Sequence, residues 1–202
     1  ICALLKDLGW TVLKRGELAQ AETYLREGLT LAQEAKHQKR ISELLAMLGT
    51  VAARQGNYEQ SETYLREGLT LARQTGDREE LCVLLINLGA TIHEQGNYEL
   101  ARACFEEGLT FARQIGHHEW TSALLCNLGS IASFQGEYAQ AAMYQREGLE
   151  LARLIGQREW MSILLLNLGE TAVAQGLYTH ADLYLEETLN LAQQLGRPQI
   201  TA

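Results

Sequence analysis

The chain has 202 residues, 47% of them hydrophobic and 21% charged, with a formal net charge of −8. That apolar share supports a packed core and excludes a disordered chain, while the acidic balance argues against a general nucleic-acid binder, which is normally basic. No apolar run approaches the roughly 18 residues of a membrane span, and the start ICALLKDLGW lacks the basic n-region and cleavage site of a secretory signal. A soluble, cytoplasmic protein is expected. Cys2, Cys82, Cys104 and Cys126 include no C-x-x-C pair, which excludes zinc knuckles and disulfide scaffolds. The first residue is Ile, so a piece of a longer chain is expected.

Glycine exposes an internal repeat. All 18 glycines fall in four series: 9, 49, 89, 129, 169; 16, 56, 96, 136, 176; 28, 68, 108, 148; and 76, 116, 156, 196. Every series steps by 40 residues, and the tyrosines at 58, 98, 138 and 178 keep the same period. Residues 22–32 and 62–72 both read ETYLREGLTLA. Such self-similarity marks a repeat architecture.

In chain order, each repeat predicts a first helix, a glycine break and a second helix. The first helices are expected near 2–15, 39–55, 79–95, 119–135 and 159–175, and the second near 18–35, 58–75, 98–115, 138–155 and 178–195. In the third repeat, Leu81, Leu84, Leu85, Leu88 and Ile92 step by three and four, as one helix face does. Gly96 breaks the chain there, and Tyr98, Ala101, Phe105, Leu109 and Ala112 form a second stripe ended by Gly116, a left-handed cap. Asp77 with Glu80 three residues on predicts a capping box. Leu5, Leu8, Ala21, Leu25 and their equivalents form the predicted core. Gly89 and Gly108 sit inside predicted helices at a cost of about 1 kcal/mol each, which predicts close backbone approach there. Helix pairs of this kind bury their apolar faces by stacking.

The run Leu88-Gly89, Gly96, Tyr98, Ala101 and Phe105 resembles the tetratricopeptide (TPR) motif, L-G…G-x-Y-x-x-A-x-x-x-F. The other repeats carry Leu48-Gly49, Gly56, Tyr58; Leu128-Gly129, Gly136, Tyr138, Ala141; and Leu168-Gly169, Gly176, Tyr178, Ala181. The first repeat keeps Leu8-Gly9, Gly16 and Ala21 but has Leu18 in place of Tyr. The resemblance covers the whole chain and implies an all-α, right-handed superhelical solenoid of helix-turn-helix repeats, as one domain of five units: 1–38, 39–78, 79–118, 119–158 and 159–202. The period departs from the family's usual 34 residues, and Gln33, Arg73, Arg113, Arg153 and Gln193 replace its terminal proline. Long repeats of this kind resemble those of spindle-orienting scaffolds, kinesin light chains and bacterial maltose-activator-type regulators.

No catalytic set is visible. Of His37, His93, His117, His118 and His180, only 37 and 117 share a repeat phase, and no serine or glycine context resembles a nucleophile elbow or phosphate cradle. A non-enzyme without metal or cofactor is expected, with Cys104 and Cys126 serving as small buried hydrophobes. The informative feature is a ladder: Asn87, Asn127 and Asn167 recur in Asn-Leu-Gly, with Asp7 and Met47 in the same phase. The resemblance implies that first helices line a concave groove, where an amide can both donate to and accept from an extended peptide backbone. The competing reading has the amide bridge adjacent helices and stabilise packing alone. Helical steps from the ladder add Ile86, Ala90, His93, Glu94, Cys126, Ser130, Ser133, Phe134, Leu166, Glu170 and Val173, with Lys6, Trp10, Thr50 and Arg54 earlier.

The family's carboxylate clamp for chaperone tails needs Lys or Arg where this chain has Val83, Ala123, Ile163, Ile86, Cys126 and Leu166. An extended peptide with apolar side chains is therefore the expected partner, or another part of the same protein if the chain is a regulatory arm of a bacterial signalling protein. Trp120 and Trp160 are expected to pack at the inter-repeat turns. Residues 77–202 hold 7 basic and 16 acidic side chains against 10 and 9 in residues 1–76, which favours basic partners for the later repeats. Leu183, Leu185, Leu189 and Leu191 in the last predicted helix leave an apolar end open to further repeats or to end-to-end self-association.

Overall fold

The computed structural model describes residues 1–194. Among them lie ten α-helices: α1 (Cys2–Lys14), α2 (Leu18–Glu34), α3 (Gln38–Arg54), α4 (Tyr58–Thr75), α5 (Arg78–Glu94), α6 (Tyr98–Gln114), α7 (His118–Phe134), α8 (Tyr138–Ile155), α9 (Arg158–Ala174) and α10 (Tyr178–Gln194). The predicted boundaries lie within one residue of these. Gly196, Arg197 and Pro198 fall outside the described residues.

Two compact units divide the chain, Ile1–Phe111 and Ala112–Ala202. In the first, α1 packs on α2 and α3 on α4 within repeats, while α2 meets α3 and α4 meets α5 between repeats. The odd-numbered helices also touch one another, α1 on α3 and α3 on α5. The second unit repeats the plan, with α7 on α8, α8 on α9, α9 on α10, and α7 on α9.

The same turn is cut at nearly every helix end. After α3, Gly56 N–H bonds Ala53 C=O at 3.0 Å and Asn57 N–H bonds Ala52 C=O at 2.9 Å. This pair of bonds is a Schellman motif, and it places Gly56 at φ +80°, in the left-handed region that disfavours a Cβ. Between repeats Gly76, Gly116 and Gly156 hold the corresponding place, whereas in the first repeat it falls to Lys36 at φ 52°. At three of the four inter-repeat turns the next helix then starts on a side-chain cap, α9 being the exception. His37 Nδ1 accepts from Arg40 N–H at 3.4 Å, Asp77 Oδ1 from Glu80 N–H at 3.2 Å, and His117 Nδ1 from Trp120 N–H at 3.2 Å. That capping role accounts for the shared phase of His37 and His117. The expected capping box at Asp77 is only half made, because Asp77 N–H is taken by Ala72 C=O at 3.2 Å and Glu80 turns its carboxyl inward.

Helix-interior glycines mark the tightest packing. A Cβ on Gly49 would stand 2.6 Å from Leu65, one on Gly89 2.5 Å from Phe105, and one on Gly129 2.7 Å from Gln145. Between repeats, Gly28, Gly68 and Gly148 receive Leu44, Leu84 and Leu164 in the same way. Ser42 Oγ and Ser122 Oγ donate to the carbonyls of Gly68 and Gly148 at 3.0 and 2.9 Å, and Cys82 Sγ to that of Gly108 at 3.6 Å. Close approach at Gly68, Gly108 and Gly148 thus aligns a buried donor with the glycine carbonyl. The predicted core positions Leu5, Ala21 and Leu25 are buried, but Leu8 is 38% exposed. Its equivalents Leu48, Leu88, Leu128 and Leu168 are covered, each in a repeat that follows another.

The places of the missing proline carry ion pairs. Arg73 reaches Glu107 at 2.8 Å, Arg113 reaches Glu147 at 2.5 Å, and Arg153 reaches Glu187 at 2.7 Å, each from one second helix to the next. Cys82, Cys104 and Cys126 are buried free thiols. Burial pushes the Cys82 thiol up to about 12, which keeps it protonated and inert. Trp160 packs against the core of the second unit and Trp120 stacks on His117 with ring centroids 3.7 Å apart.

Candidate functional site

The ladder asparagines are set by hydroxyl groups on the neighbouring first helix. Thr50 spends its single hydroxyl proton on Ala46 C=O at 3.0 Å, so toward Asn87 it can only accept. Asn87 Nδ2 donates to the Thr50 hydroxyl oxygen at 3.3 Å. In the second unit, Ser130 donates to Cys126 C=O at 3.0 Å and accepts from Asn167 Nδ2 at 3.4 Å. The amide faces are therefore determined by chemistry: the nitrogen points to the hydroxyl. Among the described residues no donor reaches Oδ1 of Asn87 or Asn167. Each half-buried amide bridges two first helices and still presents an acceptor.

Both amides line pockets at the same register. The first, of about 260 Å³, is bounded by Thr50, Arg54, Tyr58, Asn87, Thr91 and Glu94. The second, of about 340 Å³, is bounded by Ser130, Ser133, Phe134, Tyr138, Asn167 and Glu170, with Gln145 and Thr171 at its base. Every one of the first six residues lies 80 positions before a residue of the second pocket or its lining (Thr50 and Ser130, Tyr58 and Tyr138, Asn87 and Asn167). The repeat has built one site twice, with different side chains at its mouth.

Below the pockets the polar wiring differs. In the first unit, Ser61 and Thr91 share a buried hydroxyl bond of 2.9 Å, and Thr91 donates to Asn87 C=O at 2.9 Å. In the second, Gln145 occupies the place of Leu65 and Phe105 and is 1% exposed. Its Oε1 accepts from Thr171 at 3.0 Å and its Nε2 donates to Ser133 Oγ at 3.4 Å, while Ser133 and Thr171 lie 2.9 Å apart. A buried amide is tolerable because both of its ends are paired.

The other predicted site residues separate into three groups. Glu94 joins Asn87 in the first pocket, and Ser130, Phe134 and Glu170 join Asn167 in the second. Met47 is half-buried against the core of the first unit, and Ile86 and Leu166 are half-buried without bounding either pocket. Cys126 is buried beneath Asn167, whose Nδ2 lies 3.5 Å from its sulfur, and burial pushes the thiol up to about 11. Asn127 is half-buried and makes no side-chain hydrogen bond among the described residues. Lys6 is engaged by Glu43 at 2.7 Å, and Trp10, 46% exposed, lies beneath Lys14. Sequence reasoning missed Thr91, Thr171 and Gln145 as pocket floor. The signals were the 80-residue recurrence of the threonine and a glutamine standing where other repeats place Leu or Phe. Among the described residues no group of three His, Cys, Asp or Glu is gathered to hold a metal, and no helix is long and apolar enough to cross a membrane.

A Tetratricopeptide repeat family model matches residues 40–114, 79–154 and 120–194. The chain belongs to the tetratricopeptide repeat family. No curated protein matches it. Among solved structures, this TPR chain is similar to BtubC (BKLC) from P. vanneervenii, at 18% identity and TM-score 0.85, over 95% of this chain and 80% of that one. It is similar to the STAND protein with a tetratricopeptide repeat sensor, PH0952 from Pyrococcus horikoshii, at 20% identity and TM-score 0.85, over 96% of this chain and 30% of that one. A Rap protein complexed with Competence and Sporulation Factor matches at 14% identity and TM-score 0.80, over 94% of this chain and 53% of that one. These likenesses establish the fold class, an all-α TPR solenoid of helix-turn-helix repeats. The chain spans less than a third of the STAND protein and about half of the Rap protein.

Proposed function

We propose that this TPR chain is a non-catalytic binding module in which an asparagine-walled pocket in each of its two units receives an extended peptide or protein segment. The observation that carries the reading is the pair of oriented amides. Thr50 and Ser130 hold the nitrogens of Asn87 and Asn167, so that each Oδ1 is left to accept a backbone N–H from a ligand. Preorganisation of this kind lowers the entropic cost of binding. The two readings of the ladder then combine, because the bond that joins neighbouring helices is the one that aims the amide. In the first unit the half-buried Met47 and Ile86, and in the second Asn127 and Leu166, offer further contacts to such a segment. The Rap protein's complex with a factor supports a binding role for a chain of this fold.

A peptide-display selection against the chain, run beside an Asn87/Asn127/Asn167→Leu variant verified as helical by circular dichroism, tests the proposal. Peptides enriched on the native chain and lost on the folded variant are expected. Equal enrichment on both would overturn the backbone-reading role of the ladder. A second reading, a sensor or regulatory arm of a larger bacterial signalling protein, draws support from the likeness to the STAND protein's repeat-bearing chain. In that case the occupant is another segment of the same protein, and a selection that yields no peptide on a folded chain favours it.

A further inference from the structure

Resting on the peptide-binding reading, we infer that the second-unit pocket is selective for a cationic side chain, the guanidinium or ammonium group of an Arg or Lys in the bound segment. The first observation is charge. On α7 and α9 the only acidic or basic residue past the first helical turn is Glu170, at the mouth of this pocket. Glu170 is exposed and forms no ion pair among the described residues. Arg113 and Arg153, by contrast, are held on the second helices by Glu147 and Glu187. The first-unit pocket differs, because there Arg54 and Glu94 put one charge of each sign on the lining.

The second observation is the aromatic wall. Phe134 takes the register of Arg54 and is 69% exposed at the pocket's rim. Tyr138 bounds the same pocket. A cation entering it meets a carboxylate between two aromatic side chains, a setting that favours positive charge over a carboxylate. Asn167 Oδ1, which takes no donor among the described residues, suits an N–H of the guanidinium. The contrast between pockets is therefore one of specificity: the same amide holds backbone in both, while the mouth residues choose the neighbouring side chain.

The test uses the 202-residue chain, isotopically labelled and titrated by NMR with acetyl-Ala-Ala-Arg-Ala-Ala-amide and matched peptides with Gln or Glu at the centre. The arginine peptide is expected to shift the amides of Ser130, Phe134, Asn167 and Glu170 and to bind about fivefold tighter than the glutamine peptide, as about 1 kcal/mol of charge and cation–π attraction implies. Glu170→Gln should erase that preference and Phe134→Ala should weaken it; both positions are exposed, so the fold should survive. Equal binding of all three peptides at Asn87 and Asn167 would overturn the cation preference and leave the binding module standing. No shift at either asparagine with any peptide would overturn both.

Discussion

Gly89 on α5 lies directly against the ring of Phe105 on α6, so close that a Cβ on Gly89 would come within 2.5 Å of Cε1. Helix propensity alone favours alanine here by about 1 kcal/mol. Overpacking wins, because a rigid ring buried on all sides has nowhere to move and costs of roughly 1–3 kcal/mol are usual. Gly89→Ala should therefore destabilise the chain in urea unfolding. A stabilised variant would show that the two helices can separate without loss.

Lys36 offers the opposite case. It holds φ 52° in the turn that Gly76, Gly116 and Gly156 occupy in later repeats. A side chain in the left-handed region costs about 1 kcal/mol or more. Lys36→Gly should raise stability, by less than that strain because glycine also loosens the unfolded chain. Gly76→Ala, at φ +69° with open space around it, should lower stability by a similar amount. Thermal melts of both variants measure the pair.

Much of this was legible in the sequence because glycine, tyrosine and leucine are locally constrained. A left-handed turn or a close helix crossing demands glycine wherever it recurs, so a 40-residue period in glycine is a period in backbone. The asparagine ladder was equally visible, but its meaning was not. Whether Asn87 faces a ligand or a neighbouring helix depends on Thr50, 37 residues away, whose hydroxyl proton is already committed to Ala46. Gln145 stands where other repeats place Leu65 or Phe105. Its pairing with Thr171, 26 residues on, exists only once α8 and α9 are packed. The half-made capping box failed for a similar reason, since the turn's own Schellman bond claims Asp77 N–H first.

The arginines standing in place of the family's proline form a ladder whose worth is small. The pairs of Arg73 with Glu107 and Arg153 with Glu187 are each about half exposed on both partners, a setting in which ion pairs contribute roughly 0.2–1 kcal/mol. A variant with Arg73, Arg113 and Arg153 all changed to Gln should lose no more than about 2–3 kcal/mol at low salt. The difference from the native chain should shrink at 1 M salt, where the Debye length is about 3 Å. A larger loss that salt does not diminish would mean the arginine stems matter through packing.

Glu80 is the chain's pH-sensitive liability. It begins α5 beside the pairs that Lys6 and Arg40 make with Glu43 and the pair of Lys39 with Asp77, yet one carboxyl oxygen is buried without a hydrogen bond. Burial pushes the carboxyl from its ordinary 4.5 to about 7, helped by repulsion from Glu43 and Asp77 and opposed by Lys6 and Lys39. An acid whose folded value is raised keeps its proton longer in the folded chain than in the unfolded one. Its contribution is thus most favourable below pH 4.5 and declines as pH rises to about 7, after which a constant penalty remains. That penalty is on the order of 1–3 kcal/mol, since one pKa unit corresponds to about 1.4 kcal/mol. Asp77 works the other way, because its bond to Lys39 holds its carboxyl below the ordinary range and its contribution fades only in stronger acid. Glu80→Gln keeps shape and removes the charge. The variant should be more stable than the native chain above pH 7, with the advantage shrinking steadily toward pH 4.5 in urea titrations across that range. A constant difference at every pH would show that Glu80 titrates as an ordinary surface carboxylate, with the burial at the start of α5 relieved by water.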